Sequence, residues 1–292
     1  MSGARTTIVI VTRNRCAELL HTLGRLAALH PKPSIVVVDN GSTDATAPAV
    51  CAAAGRLGGI RLIRLSRNEG AAARNVGVAA ADTPYVAFAD DDSWWAADAL
   101  PQAETIFDEH PRVGLLAART LVGPDEHGDP VSERMATSPL GQEQSLPGPS
   151  VLGFLACAAI VRRSAFLDAG GFSRLLHFGG EEELLAYDLA AAGWQLCYVD
   201  SLRAHHHPSL LRDDRLSRDV RQLRNHTLVT WLRRPAPVAV CSGIGLLRRA
   251  LRYPPAVLAA AGALARLPVV LARRRRLPDE VERRIRQLDA AP

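Results

Sequence analysis

Short β-branched apolar runs alternate from the N-terminus with longer stretches whose apolar positions recur every three or four residues, a pattern that predicts parallel strands covered by helices. Thr7 to Val11 reads as the first strand, and Cys16 to Leu29, with Leu19, Leu20, Leu23, Leu26 and Ala27 at helical spacing, as the first helix. Ser34 to Val38, Ile60 to Leu65 and Tyr85 to Phe88 continue the strand series. Between them lie helical patterns over Ala45 to Ala54 and over the alanine-rich stretch after Asn68-Glu69-Gly70. A helix over Ala96 to Glu109 and strands over Val113 to Val122 and Leu155 to Val161 come next, then a short helix ending at Ala169. A helix from Glu181 to Ala192 and a last strand over Gln195 to Val199 complete this part, and residues 123–149, without a sustained period, are expected to form a mobile flap. From Leu210 onward the pattern is helical only, over Arg212 to Leu232, Val238 to Tyr253, Ala256 to Leu271 and Asp279 to Leu288.

This alternation is that of an α/β unit, residues 1–209, followed by a helical C-terminal extension, residues 210–292. In such open sheets ligands bind beyond the carboxyl ends of the strands. The ends of the first strand (Thr12 to Asn14), the second (Asp39, Asn40) and the fourth (Asp90 to Asp92) are expected on one edge.

Composition changes this picture little. A hydrophobic content of 48% with 22% charged residues is that of a soluble globular chain. Lys32 is the sole lysine, so the net charge of +5 comes from arginine, which is densest at Arg273-Arg274-Arg275-Arg276. That run could meet acidic lipid, although a solvated helix end is the plainer reading. Nucleic-acid binding ranks last, since the basic face has no interleaved aromatics. Cys16, Cys51, Cys157, Cys197 and Cys241 form no Cys-x-x-Cys pair, which points to reduced thiols rather than a disulfide framework or zinc site. The first apolar run is too short for a signal-peptide core. Pro254 to Ala272 is apolar but interrupted by Arg266 and Pro268, and reads as a surface helix pair more than a membrane span. The expected setting is cytosolic, with the inner face of a membrane as the second option.

Two acidic clusters carry the candidate chemistry. Asp90 and Asp92, one residue apart after a buried strand, have the spacing to gather a hard divalent ion that already carries phosphates. Glu181, Glu182 and Glu183 open a helix after Gly179-Gly180; acids there suit the macrodipole, yet their crowding also raises their pKa towards a useful range for a base. A metal at one set and a base at the other is what displacement of a diphosphate requires. Arg74 could add positive charge on the phosphates. One of His205, His206 and His207 could complete the metal's coordination, and Trp94 or Trp95 could stack on a sugar or pack beneath the loop.

Five motifs now stand in order: Ile-Val-Ile-Val-Thr-Arg-Asn-Arg (8–15), Val-Val-Val-Asp-Asn-Gly-Ser-Thr-Asp (36–44), Asn-Glu-Gly-Ala-Ala-Ala-Arg-Asn-Val-Gly (68–77), Phe-Ala-Asp-Asp-Asp-Ser-Trp (88–94) and Gly-Glu-Glu-Glu (180–183). Together they resemble the family 2 glycosyltransferases over roughly the first 210 residues. The resemblance implies a GT-A fold, a mixed sheet flanked by helices. It divides the unit into a nucleotide-sugar half (1–122) and an acceptor half (123–209), and the flap at 123–149 falls on the acceptor side.

It further implies a nucleoside-diphosphate sugar donor, a divalent Mn2+ or Mg2+ ion, a hydroxyl-bearing acceptor and transfer with inversion. By position Thr12, Asn14, Asp39, Asn40 and Arg74 would belong to the nucleotide site. Asp90 would approach ribose or metal, and Asp92, with His206, would ligate the metal. Asp91 goes with the nucleotide group but has no separate role. Glu182 best matches the family's base, although Glu stands where Asp is usual, so Glu181 and Glu183 stay open. Asn40 also departs from the commoner second Asp, in the style of the rhamnosyltransferase branch, which favours a UDP- or dTDP-sugar.

Two other readings compete. A sugar nucleotidyltransferase would want a glycine-rich loop after the first strand, which Thr12-Arg13-Asn14-Arg15 lacks. A non-catalytic nucleotide-sugar-binding scaffold, or a peripheral membrane partner protein, would not need both acidic motifs. Assembly into an oligomer is open.

Overall fold

The computed structural model describes residues 3–209 and 215–291. Among them nine strands form one sheet: β1 (Thr6–Thr12), β2 (Ser34–Asp39), β3 (Ile60–Arg64), β4 (Tyr85–Asp90), β5 (Ser93–Trp95), β6 (Val113–Val122), β7 (His127–Gly128), β8 (Ala159–Arg162) and β9 (Gln195–His206). They run β3-β2-β1-β4-β8-β6-β9-β5, with β7 hairpinned onto β6. The first four positions are parallel, β8 is antiparallel to both neighbours, β6 and β9 are parallel, and β5 closes the edge antiparallel to β9.

The helices are α1 (Cys16–Ala27), α2 (Thr46–Leu57), α3 (Ala73–Ala80), α4 (Ala99–Glu109), α5 (Pro130–Ala136), α6 (Arg163–Asp168) and α7 (Glu181–Ala191). The C-terminal set is α8 (Arg215–Arg233), α9 (Ala236–Ala250), α10 (Pro254–Leu264), α11 (Leu267–Arg273) and α12 (Asp279–Asp289). The first residues of the helix expected from Arg212 lie outside the described part.

The period of two in β1 sorts the core into two layers. Ile8 and Ile10 join Leu19, Leu23 and Leu26 of α1 on one face, while Val9 meets Val36, Val38 and Val78 on the other. A third cluster seats the C-terminal helices on α7: Leu184 and Tyr187 meet Leu228, Val229 and Leu232 of α8. Leu184, Leu228 and Leu232 are all nearly inaccessible, and each such side chain contributes at most about 1.5–3 kcal/mol. The same seam holds a bidentate pair, in which Arg233 donates to both carboxylate oxygens of Asp188 at 2.5 and 2.9 Å.

Several elements depart from the sequence pattern, among them the short strands β5 and β7, which no periodicity predicts. Residues 123–149 are not structureless: Asp129 caps α5 by accepting from Val131 N at 2.7 Å, Pro130 starts the helix, and Ser132 and Met135 are buried. Seven residues are too few to display a helical period. The last strand does not stop at Val199 but reaches His206, because an irregularity opposite Ala118 and Arg119 lets pairing with β6 resume. The apolar stretch Pro254 to Ala272 is the helix pair that its interruptions at Arg266 and Pro268 imply, two helices bent by 52°, with Pro268 in the first turn of the second.

Candidate functional site

The parallel register brings the strand ends together: Thr12 pairs with Asp39 across β1 and β2, and Val11 with Asp90 across β1 and β4. Beyond them opens a cleft of about 910 Å³, walled on its far side by α7 and α8. Thr12, Asn14, Asn40, Arg74, Asp90, Asp91, Asp92, Glu181, Glu182 and His206 all line it. Asp39 and Glu183 do not. Asp39 is inaccessible and accepts from Ser42 N at 2.8 Å and Arg64 Nε at 3.4 Å. Glu183 accepts from Tyr187 one helical turn on, at 2.8 Å.

The three aspartates have three environments. Asp90 receives Arg74 at 2.5 Å. Asp91, which the sequence left without a role, is a buried anchor: its carboxylate accepts from Thr12 and Arg15, and its carbonyl accepts from Thr22. Burial pushes the Asp91 carboxyl up to about 7, against the pull of Arg15. Asp92 is held below the ordinary carboxylate range: burial opposes this, but hydrogen bonds from His206 and from Ser209 N outweigh it.

The histidines divide by strand alternation. His206 on β9 stands 3.4 Å from Asp92 Oδ1 and faces the cleft. His205 turns away to Glu126 and stacks on Trp94, and the His207 ring lies against Trp94 too. Trp94 is therefore packed beneath the acidic loop, and Trp95, inaccessible, donates to Phe88 O. Among the described residues no three or more of His, Cys, Asp and Glu converge into a metal cage. A hard divalent ion that keeps waters and substrate phosphates needs only one or two protein ligands, and Asp92 with His206 fits that need.

On the opposite wall, burial raises the pKa of Glu181 and Glu182, and Glu181 pushes Glu182 further, to about 8. Burial also works against the Arg74 charge, but Asp90, then Glu182 and Glu181, more than offset it. One guanidinium thus feels both acidic clusters. Among the described residues three buried polar atoms on side chains that line this cleft have no partner: Arg74 Nε, Glu181 Oε2 and Arg218 Nε. Buried polar atoms are normally satisfied, and a ligand in the cleft would supply the partners missing here.

Two loops set the walls. Asn40 accepts from Glu69 N at 2.7 Å and donates to Asn68 Oδ1 and Gly70 O, binding the 68–70 turn to the end of β2. An aspartate there would have no donor for either oxygen, which accounts for the amide. Gly70 has φ +64°, and a Cβ on it would lie 2.4 Å from His177 O. His177 O in turn accepts from Ala71 N at 2.7 Å, so the 68–70 turn and the loop before α7 are clasped. Gly70→Ala is expected to lower stability by about 2–4 kcal/mol through the left-handed backbone and the clash; a chemical-denaturation midpoint unchanged from wild type would contradict this. Gly179 and Gly180 also take left-handed φ, +87° and +85°, so they make the turn into α7.

Sequence reasoning did not single out Arg15, His177, Ser209 or Arg218, all of which line the cleft. Arg15 closes the first motif and His177 precedes the last, a weak signal; Ser209 is placed by its bond to Asp92 just beyond β9, and Arg218 arrives only through the docking of α8.

The sequence profile described as "Glycosyl transferase family 2" matches residues 7–170. A pre-mycofactocin glycosyltransferase of Mycobacterium tuberculosis is 35% identical over 219 residues, covering 71% of this chain; the chain spans 44% of that relative's length. An N-acetylglucosaminyl-diphospho-decaprenol L-rhamnosyltransferase of the same organism is 28% identical over 234 residues, covering 68% of this chain and 75% of the relative. Among solved structures, the mannosyltransferase PcManGT of Pyrobaculum calidifontis, in complex with GDP-Man and Mn2+, superposes with a TM-score of 0.62 at 19% identity, covering 91% of this chain and 81% of that one. TarS 1-349 of S. aureus, in complex with UDP-GlcNAc, gives 0.60 at 17% identity, covering 85% and 73%. Profile, relatives and topology agree with the cleft they enclose: the chain belongs to glycosyl transferase family 2 and has the GT-A fold.

Proposed function

We propose that this cleft binds a nucleoside-diphosphate sugar, with a UDP- or dTDP-sugar favoured, and transfers its sugar with inversion to an acceptor hydroxyl. The observation that carries the reading is the pairing of opposed groups across one space. Asp90 and Asp92 stand on the sheet edge, Glu182 stands on α7, and Arg74 feels both. Arg74, with its unpartnered Nε, suits a phosphate oxygen, and Arg218 adds a second buried donor. Asp92 and His206 are the residues to hold a divalent ion, which when bound neutralises charge on a departing diphosphate. Glu182, ionised, removes the acceptor's proton as its oxygen bonds to the anomeric carbon and the bond to the diphosphate breaks. Asp91 holds the loop beneath, through Thr12 and Arg15.

The names of the relatives, and the nucleotide sugars and Mn2+ bound by the structural neighbours, support this reading. The test is a thermal-shift titration with nucleoside-diphosphate sugars, with and without Mn2+ or Mg2+. A ligand at a hundred times its Kd stabilises by about 2.7 kcal/mol, a rise of a few degrees for a chain this long. Failure of every nucleoside diphosphate to shift the midpoint, metal present, would sink the proposal.

A further inference from the structure

The exposed apolar surface of the molecule is concentrated in one region. Of twelve large hydrophobic side chains exposed among the described residues, nine lie between Val240 and Leu271. Val240, Ile244, Leu247 and Leu251 recur along one line of α9 and out of its C-terminus, and Leu258 and Leu271 extend the patch onto α10 and α11. Monomeric soluble proteins rarely keep such a patch without a partner.

The charge around it names the partner. From residue 220 to 278 the sequence has twelve arginines and no aspartate or glutamate. Arg248 and Arg252 are exposed beside the α9 line and meet no carboxylate among the described residues. Apolar side chains rimmed by arginine match the boundary layer of a bilayer containing anionic lipid. A second copy of the same face would instead set arginine against arginine across a twofold.

The packing decides how the surface would sit. No single described helix is long and apolar enough to cross a membrane, although the bent α10–α11 pair has the combined length and composition. That pair is not free to span, because Ala256, Ala259, Ala260 and Ala263 are buried against the protein while Val257, Leu258 and Leu264 face out. One face is committed to α8, which leaves the other to lie in the plane of the surface.

We propose that α9 to α11 form an in-plane docking face for a bilayer bearing anionic headgroups, with Leu251 and Leu258 entering the apolar boundary and Arg248 and Arg252 meeting lipid phosphates. The dock does not depend on the transfer reaction. The experiment is sedimentation of the full chain with vesicles of phosphatidylcholine alone or mixed with phosphatidylglycerol, at low and high salt. Binding to the mixed vesicles, weakened by salt and slight on the neutral ones, is expected. Arg248→Gln should weaken it roughly fivefold. Leu251→Glu combined with Leu258→Glu should abolish it with the thermal midpoint and the nucleotide-sugar shift unchanged, which separates loss of the dock from loss of the donor site. Equal or absent binding to the two vesicle types, or an undiminished double variant, would overturn the proposal. So would a dimer in sedimentation velocity that Leu251→Glu dissociates, since a second copy would then cover the face.

Discussion

Glu182→Gln is expected to keep donor binding and lose transfer by about 10²–10⁴-fold, the span a positioned general base contributes. The substitution keeps the shape of the α7 wall and leaves Arg74, Asp92 and His206 in place on the other, so the nucleotide thermal shift should persist. Transfer near the wild-type rate would move the base to Glu181, the one other glutamate of the cluster on the cleft, since Glu183 is held by Tyr187. A second readout accompanies the loss. A carboxyl whose folded pKa lies above its unfolded one binds its proton more tightly in the folded chain, so its stabilising contribution is full below the unfolded value and disappears as pH rises through the folded value. For Glu182 that window runs from about 4.5 to about 8. Without metal or donor, Glu182→Gln should therefore melt higher than wild type at pH 8 to 9, with the gap closing towards pH 4 to 5. Parallel melting curves across that range would contradict the burial argument.

Asn225→Asp is expected to cost at least about 3 kcal/mol and to lower transfer with it. Asn225 lies inaccessible on α8, and its Nδ2 donates to the carbonyls of Leu176, Phe178 and Gly179 at 2.8, 2.8 and 2.6 Å. Those carbonyls belong to the loop that delivers Glu181 and Glu182. The aspartate has no donor for them and adds a buried charge, so Phe178 O and Gly179 O lose this partner at about 1–3 kcal/mol each, and Leu176 O is left with the longer bond from Arg224 at 3.4 Å. A urea midpoint within experimental error of wild type would show that the loop is held by other means.

The two variants probe unequal parts of what the sequence disclosed. Short-range patterns are read easily: β1 to β4 and α1 to α4 stand within a few residues of where periodicity places them, because each element's burial is repeated along its own length. The motif residues were legible because three strand ends face one edge by topology alone. Orientation was not. Whether Asp39 or Asn40 meets the cleft, and which of three histidines does, depends on pairing with strands far along the chain, and the extension of β9 past Val199 rests on its contact with β6. Asn225 shows the same limit most plainly. A lone asparagine within a helical pattern carries no sign that it satisfies three carbonyls nearly fifty residues upstream.

The contact of Gly70 with His177 bears on engineering by exchange. Because the turn at 68–70 and the loop before α7 share one hydrogen bond and leave no room for a Cβ, they form a single transplantable unit. A chimera that imports a relative's 176–183 segment to alter acceptor choice would have to carry a glycine at 70 and its turn along with it. Libraries that shuffle the two halves at residue 122 are expected to contain many sterically incompatible partners, unless both sides of this clasp come from the same parent.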